Sequence, residues 1–202
     1  MRINIAFAIL ATSTILFSDA QVTFPLKSSS DKRYLVDQKN KPFPILGRTA
    51  WFLVSQSDTG YKKFIDNTLI HGFNAIEISV IMHWPIGNHA PYNSKGEAPF
   101  IKTLGGKNWD GKLEFDDIKT QGPDLLTPNE KYWKHADELL AYCESKGILV
   151  LMFPGYVGYP SQKEEQGWMK ELVANGEEKT EAYGAWIARR YKQRKNIIWM
   201  LL

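Results

Sequence analysis

From residue 44 onward the apolar positions repeat one unit: a short apolar run, a polar loop, a stretch with apolar residues three and four apart, then Gly or Asn ahead of the next run. The first run, 44–51, predicts a strand. Ser57-Asp58 can cap a helix that places Tyr61, Phe64, Ile65 and Leu69 on one face and ends at Gly72. In the second run, 73–81, Ile76, Ile78 and Val80 alternate with Glu77 and Ser79. One face of that strand therefore packs on helices while the other carries polar groups inward. Thr127-Pro128-Asn129-Glu130 reads as a capping box with proline at the first helical position, opening a helix through Trp133, Ala136, Leu139, Leu140 and Cys143 to Lys146-Gly147. The near-continuous apolar run 148–153 suits a parallel strand buried on both faces. A last helix is predicted over about 177–194, with Tyr183, Trp186, Ile187 and Tyr191 facing inward, before a strand at 196–202.

Strands that alternate with helices make a parallel sheet with crossover connections. The expected fold class is α/β, the amino-terminal half of a (β/α)8 TIM-type barrel interrupted in its fourth strand, because a closed barrel takes eight strands and typically about 250 residues. A doubly wound sheet is the alternative, but no Gly-rich phosphate loop follows the first strand.

The chain ahead of these units divides into three. Residues 1–20, with Arg2 before an apolar run and Ser18-Asp19-Ala20 at its end, predict a secretory signal peptide, too short to span about 30 Å of hydrocarbon. Residues 21–32 form a polar linker, and 33–46 predict a small hairpin around Gln38-Lys39-Asn40-Lys41, the start of a partial barrel domain at 33–202. A secreted or periplasmic location follows, with no membrane partner once the signal is removed. The 25 Lys and Arg against 22 Asp and Glu give a net charge of +3 without a basic footprint, which argues against a nucleic-acid partner. The single cysteine, Cys143, excludes an internal disulfide framework and is expected to be buried and inert.

Barrel enzymes carry their chemistry on loops at the carboxyl ends of the strands. The loop after the second strand, 82–128, is far longer than an ordinary connection and holds His83, Trp84, His89, Tyr92, Asn93 and Trp109. Aromatic faces stack on the apolar faces of sugars while Asn, His and acids bond hydroxyls, so a carbohydrate partner suits this composition. The same aromatics can instead build the loop's own small core. Glu77 points inward from mid-strand, as a site acid or as a partner for neighbouring side chains. No metal is expected: His83 and His89 lack a clustered carboxylate or thiol, and Asp110, Glu114, Asp116, Asp117 and Asp124 do not follow a calcium-loop spacing.

Taken in order, Pro42-Phe43, Leu46-Gly47-Arg48-Thr49-Ala50-Trp51, Gly72-Phe73-Asn74, Asn93-x-x-Gly96-x-x-Pro99-Phe100, Thr127-Pro128-Asn129-Glu130, Gly147-Ile148, Tyr183-Gly184, Arg190-Tyr191-Lys192 and Asn196-Ile197-Ile198-Trp199 resemble the apiosidase-like glycoside hydrolases over 33–202. The resemblance implies a secreted glycoside hydrolase acting on plant-type polysaccharide by a retaining route, with two carboxylates about 5 Å apart and no cofactor. It places the first acid in a Gly-Asp pair directly after the Asn-Ile-Ile-Trp strand and the other on a later strand. Both catalytic residues are thus expected beyond Leu202, and the fragment itself is expected to be inactive. The substrate-binding candidates are Arg48, Trp51, Glu77, His83, Trp84, Asn93 and Tyr156. Two depart from the family pattern: Arg48 stands where the family has an acid, and Tyr156 follows the third strand where a Trp-Gly pair is usual. The alternative reading is a non-catalytic carbohydrate-binding or interaction protein built on a degenerate half barrel.

Overall fold

The computed structural model describes residues 22–83, 91–158 and 167–201. At its centre is a four-stranded parallel sheet in sequence order: β3 (Gly47–Thr49), β4 (Ala75–Ser79), β5 (Leu149–Phe153) and β6 (Ile197–Trp199). Helices α1 (Asp58–Ile70), α3 (Glu130–Ser145) and α4 (Met169–Tyr191) make the crossovers, and a one-turn α2 (Ile118–Gln121) sits in the long connection after β4. A two-stranded antiparallel ribbon, β1 (Lys27–Ser28) with β2 (Leu35–Val36), precedes the sheet. Unbroken sequence order with parallel pairing is what a barrel requires of consecutive units. The fold is the first half of a (β/α) barrel.

The predicted alternation is visible in the register. Thr49, Glu77, Leu151 and Ile198 are partners across the sheet and share one face, while Arg48, Ile76, Val150 and Ile197 form the neighbouring row on the other. Ile76, Ile78, Val150 and Met152 are fully buried in one core with Ile65 of α1 and Trp133, Leu139, Leu140 and Cys143 of α3. That face is the helix side. The other is the barrel's inner side, where Glu77, Leu151 and Ile198 remain partly open. Burial pushes the Cys143 thiol up to about 12, so it stays protonated and inert, as expected of a lone core cysteine.

Local structure departs from the sequence reading at three places. Lys27–Ser28, within the expected polar linker, pairs with Leu35–Val36, so the ribbon begins earlier than predicted and the 37–41 turn is flanked by a single Val36–Pro42 bridge and closed by the Asp37 amide on the Lys41 carbonyl. Asp37 holds that turn, its carboxylate accepting from the Lys39 and Lys41 amides at 2.9 Å each. Second, α4 begins at Met169 and is broken at Gly176, whose φ of 77° is left-handed; the predicted helix from 177 is its second segment. Third, Thr127 is not the cap of α3. Its hydroxyl accepts from the Lys102 amide, while Asn129 caps the helix through Oδ1 on the Lys131 amide and its Nδ2 donates to the Ala98 carbonyl. A cap that also ties down the long loop is worth more to the fold than the capping box predicted from spacing. Asn129→Ala should lower unfolding free energy by about 1–2 kcal/mol, and Thr127→Ala should cost α3 little helicity, as urea titration followed by circular dichroism would show.

The long connection is organised by its own core. Phe100 and Trp109 are buried with Leu113 and Leu125, and Phe100 meets Trp168 and Tyr183 edge-on at 6.1 and 5.7 Å. Trp109, a sugar-stacking candidate by composition, is therefore packing.

Candidate functional site

At the carboxyl end of the sheet three of the predicted residues meet. Ala50 continues β3 by donating its amide to the Glu77 carbonyl at 2.8 Å, which turns Trp51 over the inner face. The Trp51 indole N–H then donates to Glu77 Oε1 at 2.6 Å. From the loop after β5, the Tyr156 ring lies against Trp51 with centroids 5.5 Å apart and planes 30° apart. All three are partly accessible. The backbone carbonyl of Tyr156 accepts the Trp168 amide at 2.9 Å, so its position is set by the entry into α4. The result is an aromatic platform beside a carboxylate. Such a surface can stack on the apolar face of a sugar ring and bond its hydroxyls.

Arg48 does not join them. An alternating strand that turns Thr49 and Glu77 inward must turn Arg48 outward, and its guanidinium bonds Asn67 Oδ1 at 3.0 Å and Thr68 Oγ1 at 3.1 Å on α1 while lying 4.3 Å from the Phe64 ring centroid. The substrate-binding position expected of Arg48 is thus corrected: Arg48 fastens β3 to its crossover helix. Asn93 is likewise apart from the platform. Buried within the long loop, its Oδ1 accepts from the Lys95 and Glu97 amides and shapes the 93–97 turn.

His83, just past the end of β4, is buried apart from Trp51, Glu77 and Tyr156, its Nε2 2.8 Å from Glu171 Oε1 and its ring edge-on to Trp168 at 5.0 Å. It pins the start of α4 to the end of the second barrel strand. Glu171 lies 88 residues away. It gave no signal in the sequence because its local setting is that of an exposed helix residue. Trp84 and His89 lie outside the described residues. Among the described residues, one group of three metal-ligand side chains converges, Asp58, His135 and Glu138, and it lies on the helices rather than at the axis.

With this geometry in hand, likeness to known proteins is informative. The sequence model of the apiosidase-like catalytic domain matches residues 29–202. The chain belongs to that family. Two glycoside hydrolases of Bacteroides vulgatus ATCC 8482, one assigned to family 5, superpose with TM-scores of 0.55 and 0.59 at 23% and 14% identity. They share 90% and 91% of this chain but 34% and 32% of their own. An endo-1,4-beta-mannanase from Rhizomucor miehei superposes at 0.50 with 12% identity, over 87% of this chain and 47% of its own. No curated protein sequence matches. The apiosidase-like chain thus spans about a third of the Bacteroides structures, as half a barrel with its loops would. At these identities the likeness is one of fold.

Proposed function

We propose that this chain forms the amino-terminal wall of the sugar-binding cleft in an exported, retaining glycoside hydrolase that acts on plant-type polysaccharide. The observation that carries the reading is the Trp51–Tyr156 platform beside Glu77, at the end of a parallel sheet where barrel enzymes bind substrate. Membership of the apiosidase-like family supports a glycosidic bond as the target. The retaining route needs two carboxylates about 5 Å apart. Glu77 is the one inward acid of the first three barrel strands, and its indole partner suits it to holding a hydroxyl rather than attacking carbon. We infer that nucleophile and acid/base follow the Asn196-Ile197-Ile198-Trp199 strand, in residues beyond Leu202, and that residues 1–202 alone turn over no substrate. Residues 1–20 are proposed to direct export and to be removed. No helix among the described residues is long and apolar enough to cross a membrane.

The test is to express the longest open frame containing this chain, and residues 21–202 alone, and to assay both on apiose-bearing and other plant polysaccharides. The long product should release sugar with its anomeric configuration retained, read by proton NMR at early times, and the short product should release none. Inversion would overturn the retaining route. Binding without any cleavage by the long product would replace the enzyme reading with the carbohydrate-binding one.

A further inference from the structure

Away from the axis, where α1 meets α3, the ring of His135 is buried. Its Nε2 is 3.0 Å from the Gln56 carbonyl oxygen, which can only accept, so the ring proton belongs on Nε2. In the neutral ring Nδ1 then carries a lone pair, and it faces another acceptor, Asp58 Oδ1, at 3.1 Å, a contact that takes either a second ring proton or a bound cation. Both atoms are buried without a hydrogen-bond partner. Two acceptors held this close need a positive centre between them. Glu138, three residues on from His135 along the same face of α3, brings a second carboxylate, and ligand atoms of the three side chains lie within 4.8 Å of one another.

We propose that Asp58, His135 and Glu138 bind a divalent transition-metal ion, with zinc the best fit, that fastens α1 to α3. One imidazole nitrogen and two carboxylate oxygens form a borderline donor set that zinc takes in preference to calcium or magnesium. Ligands about 2.1 Å from a shared ion stand roughly 3.0–3.4 Å apart, which the 3.1 Å separation already satisfies. The Gln56 carbonyl supplies the outer contact that metal-bound histidines use to fix their tautomer. Lys95 does not fill the place. Its Nζ is 3.7 Å from Asp58 Oδ2 and 3.7 Å from Glu138 Oε2, on the outer oxygens, and it is half exposed. The ammonium screens the outer edge of the carboxylates while Oδ1 and Nδ1 face each other inside.

Calorimetric titration of Zn²⁺ alone into the metal-stripped chain should give one equivalent bound and a raised melting temperature. Glu138→Gln, on the exposed surface of α3, should weaken binding at least about tenfold, since even outer-shell changes at metal sites cost that much. Lys95→Ala should leave binding intact or strengthen it. Cobalt substitution should produce visible ligand-field absorption that His135→Gln abolishes. Absence of binding, or binding that Glu138→Gln leaves unchanged, would overturn the site. So would nitrogen NMR showing Nδ1 of His135 protonated in the zinc-titrated chain, which would put a proton where the ion is proposed.

Discussion

Trp133→Ala should destabilise this chain by about 3–5 kcal/mol, the largest loss expected of any single substitution in it. Trp133 is fully buried in α3 and meets Trp186 and Tyr132 edge-on at 4.8 and 5.4 Å. Its indole N–H donates to the Pro99 carbonyl at 2.9 Å, the same oxygen that takes the Asn129 amide. One side chain thus joins the crossover helix, α4 and the long connection. Removing it opens a cavity among rings too rigid to collapse into it, while the Pro99 oxygen keeps its backbone partner, so the cost is one of packing. Trp133→Phe keeps most of the volume and should lose only about 1–2 kcal/mol, through the indole bond and the smaller ring. Domains of this size are typically stable by about 5–15 kcal/mol, so the alanine variant should unfold at much lower urea, followed by tryptophan fluorescence. A loss below about 1 kcal/mol would mean that the two helices and the loop are held together elsewhere.

How far the fold was legible follows from which interactions are local. The β4 alternation of Ile76, Ile78 and Val80 with Glu77 and Ser79 gave the face of each side chain of that strand, because the strand period is 2 and burial enforces it. The same rule, applied one residue earlier on β3, would have turned Arg48 outward; its place in the family pattern made it a substrate-binding candidate instead. The cap of α3 was misplaced by two residues because Thr127 and Asn129 both suit the role, and only the Lys102 amide, 25 residues away, decides which is free. The Trp51–Glu77 bond and the Trp51–Tyr156 contact were legible as candidates but not as a pair, since 26 and 105 residues separate them and only the parallel register brings them to one end. His83–Glu171 and Asp58–His135–Glu138 were not legible. His83 with Glu171 and Asp58 with His135 carry no shared spacing until the helices pack, and His135 and Glu138, three apart on α3, read alone as one helix face.

On the proposed glycosidase reading, Glu77→Gln in the product of the longest open frame should lower kcat/KM by about 3–10-fold with little change in stability. The amide is isosteric and its oxygen can still accept the Trp51 indole N–H, so the platform should stand. What is lost is the charge. A hydrogen bond from a sugar hydroxyl to a carboxylate is worth about 1.5–3 kcal/mol against roughly half that for a neutral acceptor, and a factor of ten in rate corresponds to about 1.4 kcal/mol. If Glu77 binds substrate and transition state alike, the loss falls on KM; if the hydroxyl it holds becomes more acidic as the ring flattens toward the oxocarbenium ion, it falls on kcat. Trp51→Ala provides the comparison, because it removes the stacking surface and leaves the carboxylate without its indole donor at once. Its effect should exceed that of Glu77→Gln, and the double variant should lose less than the two combined, as residues in direct contact do. Unchanged kinetics for Glu77→Gln at unchanged melting temperature would reduce Glu77 to a strut for Trp51 and leave the aromatic pair alone to hold the sugar.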